Sequence, residues 1–317
     1  MNGSDSPALV GIDWGTSALR ACLFERDGTV CDRRAEPWGI QHLPAGGYAA
    51  AFRGVAGEWL DRWPALPVLA SGMVGSRQGW HEVPYVECPA DPATLAAGLV
   101  PFDSPCGRIH LVPGLAQAGE FPDVMRGEEV QIVGALTADP ALAASSVLVL
   151  PGTHCKWATV RDGRVIRFTT YLTGELFAML RGHSIIGRPA REAGLEPGGP
   201  EGLSAFRRGV CVARDSGGAG ISGRLFTTRS LYLVGDLPLE HTLDYLSGLL
   251  VGDEIRSVVF GLGGAACPPL VLIGAATLCD RYRLALTEFG IDRVRLADET
   301  GPAGQWRIAV AAGLVSG

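Results

Sequence analysis

Two stretches of this chain repeat one pattern. Leu9 to Arg20 reads Leu-Val-Gly-Ile-Asp-Trp-Gly-Thr-Ser-Ala-Leu-Arg, an apolar run ending on Asp13, a Gly15-Thr16-Ser17 corner, and a second apolar strand to Phe24. Arg26-Asp27-Gly28-Thr29-Val30 then reads as a hairpin turn. Val147 to Phe168 repeats it, with an apolar run, Pro151-Gly152-Thr153-His154, a strand from Lys156 to Val160, and Arg161-Asp162-Gly163-Arg164-Val165. Such self-similarity constrains architecture before function, because each copy has to bury the same faces against the same kinds of neighbour. The duplication predicts two α/β domains, 8–120 and 121–317. In each, the Gly-Thr corner lets backbone N–H groups point at a phosphate, and Asp13 sits at a strand end where it could hold a metal-bound water. Facing one another, two such hairpins would clamp a nucleotide in the interdomain cleft.

Composition narrows the partners. A chain of 317 residues has room for two cores. A net charge of −6 argues against nucleic acid and against an anionic membrane surface, so a nucleotide would have to be met by locally placed basic groups. The eight cysteines form no C-x-x-C and no regular framework, and the start of the chain lacks a secretory signal pattern. Reduced thiols and a cytoplasmic location are expected. Residues 1–7 read as a loose polar tail. Val258 to Cys279 is uncharged and long enough to span a bilayer by the rule of roughly 20 apolar residues. Gly263-Gly264 and Pro268-Pro269 interrupt it, which predicts a helix end, a loop and a buried strand from Leu270 to Gly274, with no membrane span. The six histidines show no ligand spacing, so no structural metal is expected.

Between the copies, apolar spacing predicts a helix over Tyr48 to Trp63 and a buried strand over Pro67 to Gly72. The loop that follows, Met73 to Trp80, is a candidate substrate contact, because ligand loops of α/β sheets sit at strand carboxyl ends. Residues 81–107 read as irregular apart from a short helix near Ala93 to Ala97. A strand is expected over Arg108 to Val112, and Pro113 to Gly127 reads as a loop at the domain boundary. Glu128 to Ala138 reads as a helix whose first-turn acids, Glu128 and Glu129, would complement its dipole. In the second half, helices are expected over Gly174 to Leu180, Glu201 to Asp215 and Leu239 to Phe260. Gly274 and Ala275 form a small-residue turn that a flat ring such as adenine could approach. The terminal helix, Ala303 to Val315, is rich in small residues like 128–138, so the two could cross at close range between the halves and make a hinge.

The order of phosphate hairpin, connecting helix, second hairpin, Gly-Ala turn and final helix resembles the actin/hexokinase/chaperone-ATPase superfamily over nearly the whole chain. Within it, Gly72-Met-Val-Gly-Ser76 with Gly79-Trp80, Val124-Met-Arg-Gly-Glu-Glu129 with Gln131, Pro151-Gly-Thr-His-Cys-Lys-Trp157, Thr173-Gly-Glu-Leu176 and His183-Ser-Ile-Ile-Gly187 together resemble the 2-dehydro-3-deoxygalactonokinase family. The resemblance implies two ribonuclease H-like domains of the actin-like ATPase fold. It implies ATP with Mg²⁺ as cofactors, and phosphorylation of 2-dehydro-3-deoxy-D-galactonate on its 6-hydroxyl in galactonate or galactose catabolism. Phosphates would be held by Gly15, Thr16 and Ser17 and by Gly152, Thr153 and His154, the metal by Asp13, and the adenine by Gly274 and Ala275. Lys156 or Arg20 could neutralise charge near the transferred group. Related sugar kinases open the connecting helix with an Asp base; here Gly127-Glu128-Glu129 fills that place. Glu128 is the first choice of base, Glu129 the reserve and Asp123 a weaker rival. The resemblance assigns Met73, Ser76, Arg77 and Trp80 to the sugar acid, and a guanidinium such as Arg77 suits its carboxylate. Thr173 and Glu175 could bond its hydroxyls, although helix capping explains them nearly as well. Two other readings stay open: a kinase of the same fold for another small acid or sugar, and a non-catalytic ATP-driven switch, which calls for an added partner-binding domain. Association into a homo-oligomer also remains open.

Overall fold

The computed structural model describes residues 7–217, 220–262 and 268–316. Residues 1–6 of the polar tail and the Gly263-Gly264 break lie outside them. The chain opens with β1 (Leu9–Trp14), β2 (Leu19–Phe24), β3 (Val30–Glu36), α1 (Gly47–Arg62) and β4 (Val68–Gly72). There follow β5 (Val86–Glu87), α2 (Pro92–Ala97), β6 (Val100–Ser104), β7 (Gly107–Leu111), β8 (Leu115–Gln117), β9 (Asp123–Met125) and α3 (Glu128–Ala138). The second copy supplies β10 (Ser145–Leu150), β11 (Cys155–Arg161) and β12 (Arg164–Tyr171). Six helices come next: α4 (Thr173–His183), α5 (Arg188–Glu192), α6 (Gly199–Arg214), α7 (Ser222–Leu225), α8 (Thr227–Leu233) and α9 (Thr242–Leu262). β13 (Leu270–Ile273), α10 (Ala276–Glu288), β14 (Val294–Ala297) and α11 (Thr300–Ala311) complete the described chain.

The duplication is visible in the sheets. One has the order β3-β2-β1-β4-β7-β6 and another β12-β11-β10-β13-β14. In both, the repeated hairpin unit gives three successive strands, and the next large-sheet strand joins on the far side of the first. That is the ribonuclease H-like order, and its double occurrence makes this an α/β chain of the actin-like ATPase fold. The copied Asp-Gly turns share a left-handed glycine, Gly28 at φ 86° and Gly163 at φ 71°, but differ before it, where Asp162 is also left-handed at φ 51° and Asp27 is not. Asp27 Oδ1 accepts the Thr29 N–H at 2.8 Å.

The stretch 81–107, expected to be irregular, holds β5 and the edge strand β6. The expected boundary loop 113–127 holds β8 and β9, which join β5 in a third sheet, β5-β8-β9. Leu115 pairs with Val86 on one side and with Met125 on the other. Strands of two or three residues carry no readable alternation; their partners are distant in sequence, so only the folded chain sets them.

By their contacts, residues Met1–Leu148, Ala158–Thr169 and Ala297–Gly317 form one compact unit, and Val149–Trp157 with Thr170–Leu296 form a second. Each unit draws on separate stretches of chain. In unit 1, β1 is apolar almost throughout because its neighbours β2 and β4 and the packing on its faces exclude water. Phe52, Val55 and Trp59 of α1 share a core with Val10, Ile12 and Trp14. α11 lies so close to β1 that a Cβ on Gly11 would overlap Gln305. Its Trp306 stacks on Phe24 with ring centroids 5.8 Å apart. The small-residue helices α3 and α11 do cross closely: a Cβ on Gly134 would overlap the Thr300 carbonyl, and one on Gly304 the Val130 carbonyl. Both helices belong to unit 1, so this crossing is part of that unit's own packing and not the hinge between halves that the sequence suggested. Among the described residues no helix is long and apolar enough to cross a membrane.

Candidate active site

In unit 1 the Gly15 N–H donates to the Ala18 carbonyl at 2.9 Å, closing the corner between β1 and β2. The segment Trp38–Gln41 is laid against this corner. Ile40 and Gln41 N–H groups donate to the Gly15 and Thr16 carbonyls at 3.1 and 3.3 Å, and Trp14 Nε1 donates to the Trp38 carbonyl at 2.8 Å. Gly39 sits so near the Thr16–Ser17 peptide that a Cβ would overlap it. The turn's carbonyls are thus engaged with protein, while Thr16 and Ser17 are exposed. Gly15 itself is uncrowded, since the nearest atom to a Cβ there is the Ala18 oxygen at 3.7 Å.

Asp13 occupies the end of β1, where Arg20 Nη1 donates to its Oδ2 at 3.1 Å. The protein around it raises its pKa by desolvation, Arg20 opposes this, and the Glu128 charge adds to the rise. Two glycines bring further chain to this point. Gly72, at φ 90°, would place a Cβ 2.8 Å from the Trp14 oxygen and 3.5 Å from Asp13 Oδ1. A Cβ on Gly127, at φ 105°, would lie 3.4 Å from Gly72 Cα. Only glycine takes these left-handed conformations without strain. The ends of β1 and β4 and the start of α3 therefore converge within unit 1. Glu128 Oε2 accepts the Arg126 N–H at 3.0 Å, and Glu129 Oε2 accepts the Gly127 N–H at 2.7 Å. Glu129 is fully buried; that burial, reinforced by the neighbouring Glu128 charge, pushes its carboxyl up to about 8. Glu128 is half-buried.

The loop after β4 is held by its own backbone, with Trp80 N–H donating to the Val74 carbonyl and Val83 N–H to the Gly75 carbonyl, both at 2.9 Å. Trp80 stacks on Tyr48 at 5.8 Å and meets Trp14 edge-on at 5.9 Å, so its ring belongs to an aromatic cluster on the core. Met73 is half-buried, Ser76 is buried and Arg77 is exposed.

In unit 2 the second Gly-Thr turn follows β10, and α4 lies against it. Gly174 approaches the Gly152 carbonyl so closely that no Cβ fits, and Glu175 N–H donates to the Thr153 carbonyl at 3.0 Å. The His154 ring pairs with Glu175 at 2.5 Å. Lys156 is buried, with its Nζ donating to the His154 carbonyl at 3.4 Å. Gly152 is as open as Gly15, with no atom within 4 Å of a Cβ. Gly274, at φ 148°, would put a Cβ 3.4 Å from the Pro151 oxygen, and Ala275 precedes α10. A cavity of about 1040 Å³ runs from Gly152 and Gly174 along Thr277 and Arg281 to the Pro197–Pro200 loop. That loop is anchored by Asp244, which accepts the Gly198 N–H at 3.1 Å and pairs with Arg281. The cavity wall begins at the first turns of α10, just past Gly274-Ala275.

A family model described as 2-keto-3-deoxy-galactonokinase matches residues 13–308. The chain belongs to that family. The 2-dehydro-3-deoxygalactonokinase of Escherichia coli K12 is 36% identical over 92% of this chain and 93% of its own length. A solved structure of a Sinorhizobium meliloti protein superposes with a TM-score of 0.85 at 34% identity, covering 96% of this chain and 98% of that one. The activator of 2-hydroxyisocaproyl-CoA dehydratase from Clostridium difficile, solved with bound ADPNP, shares the fold alone, at 11% identity and a TM-score of 0.50 over 97% of this chain and 96% of that one.

For this member of the 2-keto-3-deoxy-galactonokinase family, three residues that support these turns and loops, two in unit 1 and one in unit 2, were not sequence candidates. Gly39 backs the first turn. Arg126, nine-tenths buried, donates from Nη2 to the Val83 carbonyl at 2.7 Å and lies 4.4 Å over the Tyr85 ring. Its Nη1 is 3.1 Å from where a Gly75 Cβ would be. Ser76 Oγ, Arg126 Nε and Nη1, and Glu129 Oε1 are buried without a hydrogen-bond partner among the described residues. Arg126 lies inside the Met-Arg-Gly-Glu-Glu motif, so that motif was its available signal. The third, Glu254, sits in the leucine-rich α9, and no spacing marks it out.

Proposed function

We propose that the chain transfers the γ-phosphoryl group of ATP to the 6-hydroxyl of 2-dehydro-3-deoxy-D-galactonate. The match to the family over residues 13–308 carries this reading. The halves 8–120 and 121–317 each contribute one phosphate turn, Gly15–Ser17 and Gly152–His154. Support comes from the uncrowded glycines: neither turn needs glycine for its own packing, whereas a phosphate approaching the backbone does. The cavity beside Gly152 has the size and the apolar lining for a nucleoside; Thr277 lines it, two residues past the Gly274-Ala275 turn read as the adenine contact.

The donor set suits Mg²⁺. Asp13 is a single carboxylate at a strand end, and among the described residues no group of three His, Cys, Asp or Glu side chains could cage an ion. Mg²⁺ characteristically takes one or two carboxylates, several waters and the substrate's phosphates. When bound it neutralises charge that develops on the transferred group. Glu128 is read as the base that takes the hydroxyl proton, because it is half-buried and near enough to Asp13 to affect its charge. Glu129 is enclosed and tends to stay protonated, so it is read as a support for Gly127. The Met73–Trp80 loop is read as the sugar-acid contact, with Arg77 and Arg126 as the two guanidinium candidates for the carboxylate. Arg126 is favoured by its unpartnered donors. Thr173 and Glu175 are engaged with Glu254 and His154, and are read as supports of the second turn. The cytoplasm is our location for the chain, from its cysteine spacing.

The test is ADP release across 2-dehydro-3-deoxy-D-galactonate, its gluconate epimer, pantothenate and neutral hexoses. Turnover should be greatest with the galactonate derivative. Turnover confined to pantothenate or a neutral sugar would overturn the substrate, and ATP binding with no turnover on any of them would favour the switch.

A further inference from the structure

Unit 2 buries one carboxylate that the proposed reaction does not use. Glu254, in the interior of α9, is 2% exposed. Trp157 Nε1 donates to its Oε1 at 2.6 Å; Tyr282 OH donates to its Oε2 at 2.8 Å, and the Thr173 hydroxyl donates to the same oxygen. The Cys155 thiol lies beside it. A carboxyl excluded from water resists ionisation, and these donors work against that by favouring the charged form. Such a cluster is costly to assemble and rigid once satisfied.

Its donors come from the surroundings of the second Gly-Thr turn. Trp157 and Cys155 lie on β11, directly after the turn; Thr173 is the first residue of α4, and Tyr282 lies on α10. The head of α4 shapes the turn itself, through the Glu175 N–H on the Thr153 carbonyl and the close approach of Gly174 to Gly152. Gly152, Thr173 and Tyr282 also line the large cavity.

We infer that Glu254 is a positioning residue for the nucleotide. It fixes the outgoing strand of the turn through Trp157 and the head of α4 through Thr173, so that the Gly152–His154 backbone is held ready before a phosphate arrives. Preorganisation of this kind appears as ligand affinity, because the ordering is done in the folding of the chain and not in binding. The inference rests on reading this turn as a phosphate site.

The experiment measures ADP affinity, sugar-acid affinity and thermal midpoint separately in the intact chain. Glu254→Gln keeps the shape but replaces one acceptor oxygen with an amide that donates. Thr173→Val removes the hydroxyl, and Thr173→Ser restores it. Glu254→Gln and Thr173→Val should each weaken ADP by about 10- to 100-fold, the effect of losing a buried hydrogen bond to a charged group. Sugar-acid affinity should stay unchanged, Thr173→Ser should bind ADP like the parent, and the double variant should bind little worse than either single one. Should Glu254→Gln fail to fold, Thr173→Val and Trp157→Phe carry the same comparison. A fall in thermal midpoint with ADP affinity intact, or equal losses for both ligands, would overturn the inference. A parent that binds ADP but phosphorylates no sugar acid would sink the substrate assignment and leave this inference standing. A parent that binds no ADP would sink both.

Discussion

Glu129→Gln should uncouple the stability of the chain from pH in a defined direction. Glu129 is fully buried and its carboxyl is pushed up to about 8, against an ordinary 4.5. Between those values the unfolded chain has released a proton that the folded chain keeps. Stability therefore falls as pH rises through this window, by about 1.4 kcal/mol per pH unit and by a ceiling of about 5 kcal/mol in all. Glutamine is neutral at every pH, matches the protonated acid in shape and can still accept the Gly127 N–H. The assay is the thermal midpoint of parent and variant between pH 5 and 8.5, taken as a difference so that titrations common to both cancel. At roughly 2–4 °C per kcal/mol for a domain of this size, the variant should gain on the parent by on the order of 10 °C across the range. The Glu128 charge contributes to the rise, so the gain should shrink in a Glu128→Gln background. Parallel curves from pH 5 to 8.5 would refute the burial argument, because they would mean that the carboxyl ionises equally in both states.

Glu128→Gln should lower kcat by the ~10²–10⁴ typical of a lost general base, whereas Glu129→Gln should keep most of it; the reverse order in steady-state assays would exchange their roles. Gly15→Ala and Gly152→Ala have room for the added methyl in the protein itself. Each should leave the thermal midpoint near that of the parent while raising KM for ATP by roughly tenfold or more through blocked backbone approach; an unchanged KM would remove that turn from the phosphate site.

The duplicated hairpin, its Asp-Gly turns and the apolar runs beside it were enough to determine two copies of one three-stranded unit, because those signals are local and each copy corroborates the other; the order of the remaining strands was not legible in them. The small residues of 128–138 and 303–315 likewise announced a close helix crossing, since only glycine lets two backbones approach so nearly, but not its place: both helices pack inside one unit and form no hinge between halves. What the sequence could not supply were relations between distant segments. Strands as short as Val86–Glu87 take their register from Leu115, and Trp80, read as a substrate contact, is drawn into the aromatic cluster with Trp14 and Tyr48. Glu128 and Glu129 are adjacent in sequence and alike in composition, yet only folding encloses one and leaves the other half-buried, which separates their proton affinities. Thr173 could be a cap or a ligand contact until tertiary packing brought Glu254 to its hydroxyl. Periodicity and turn chemistry act over a few residues and are written in the chain; desolvation and hydrogen-bond partnership depend on what folding brings alongside, and were decided there.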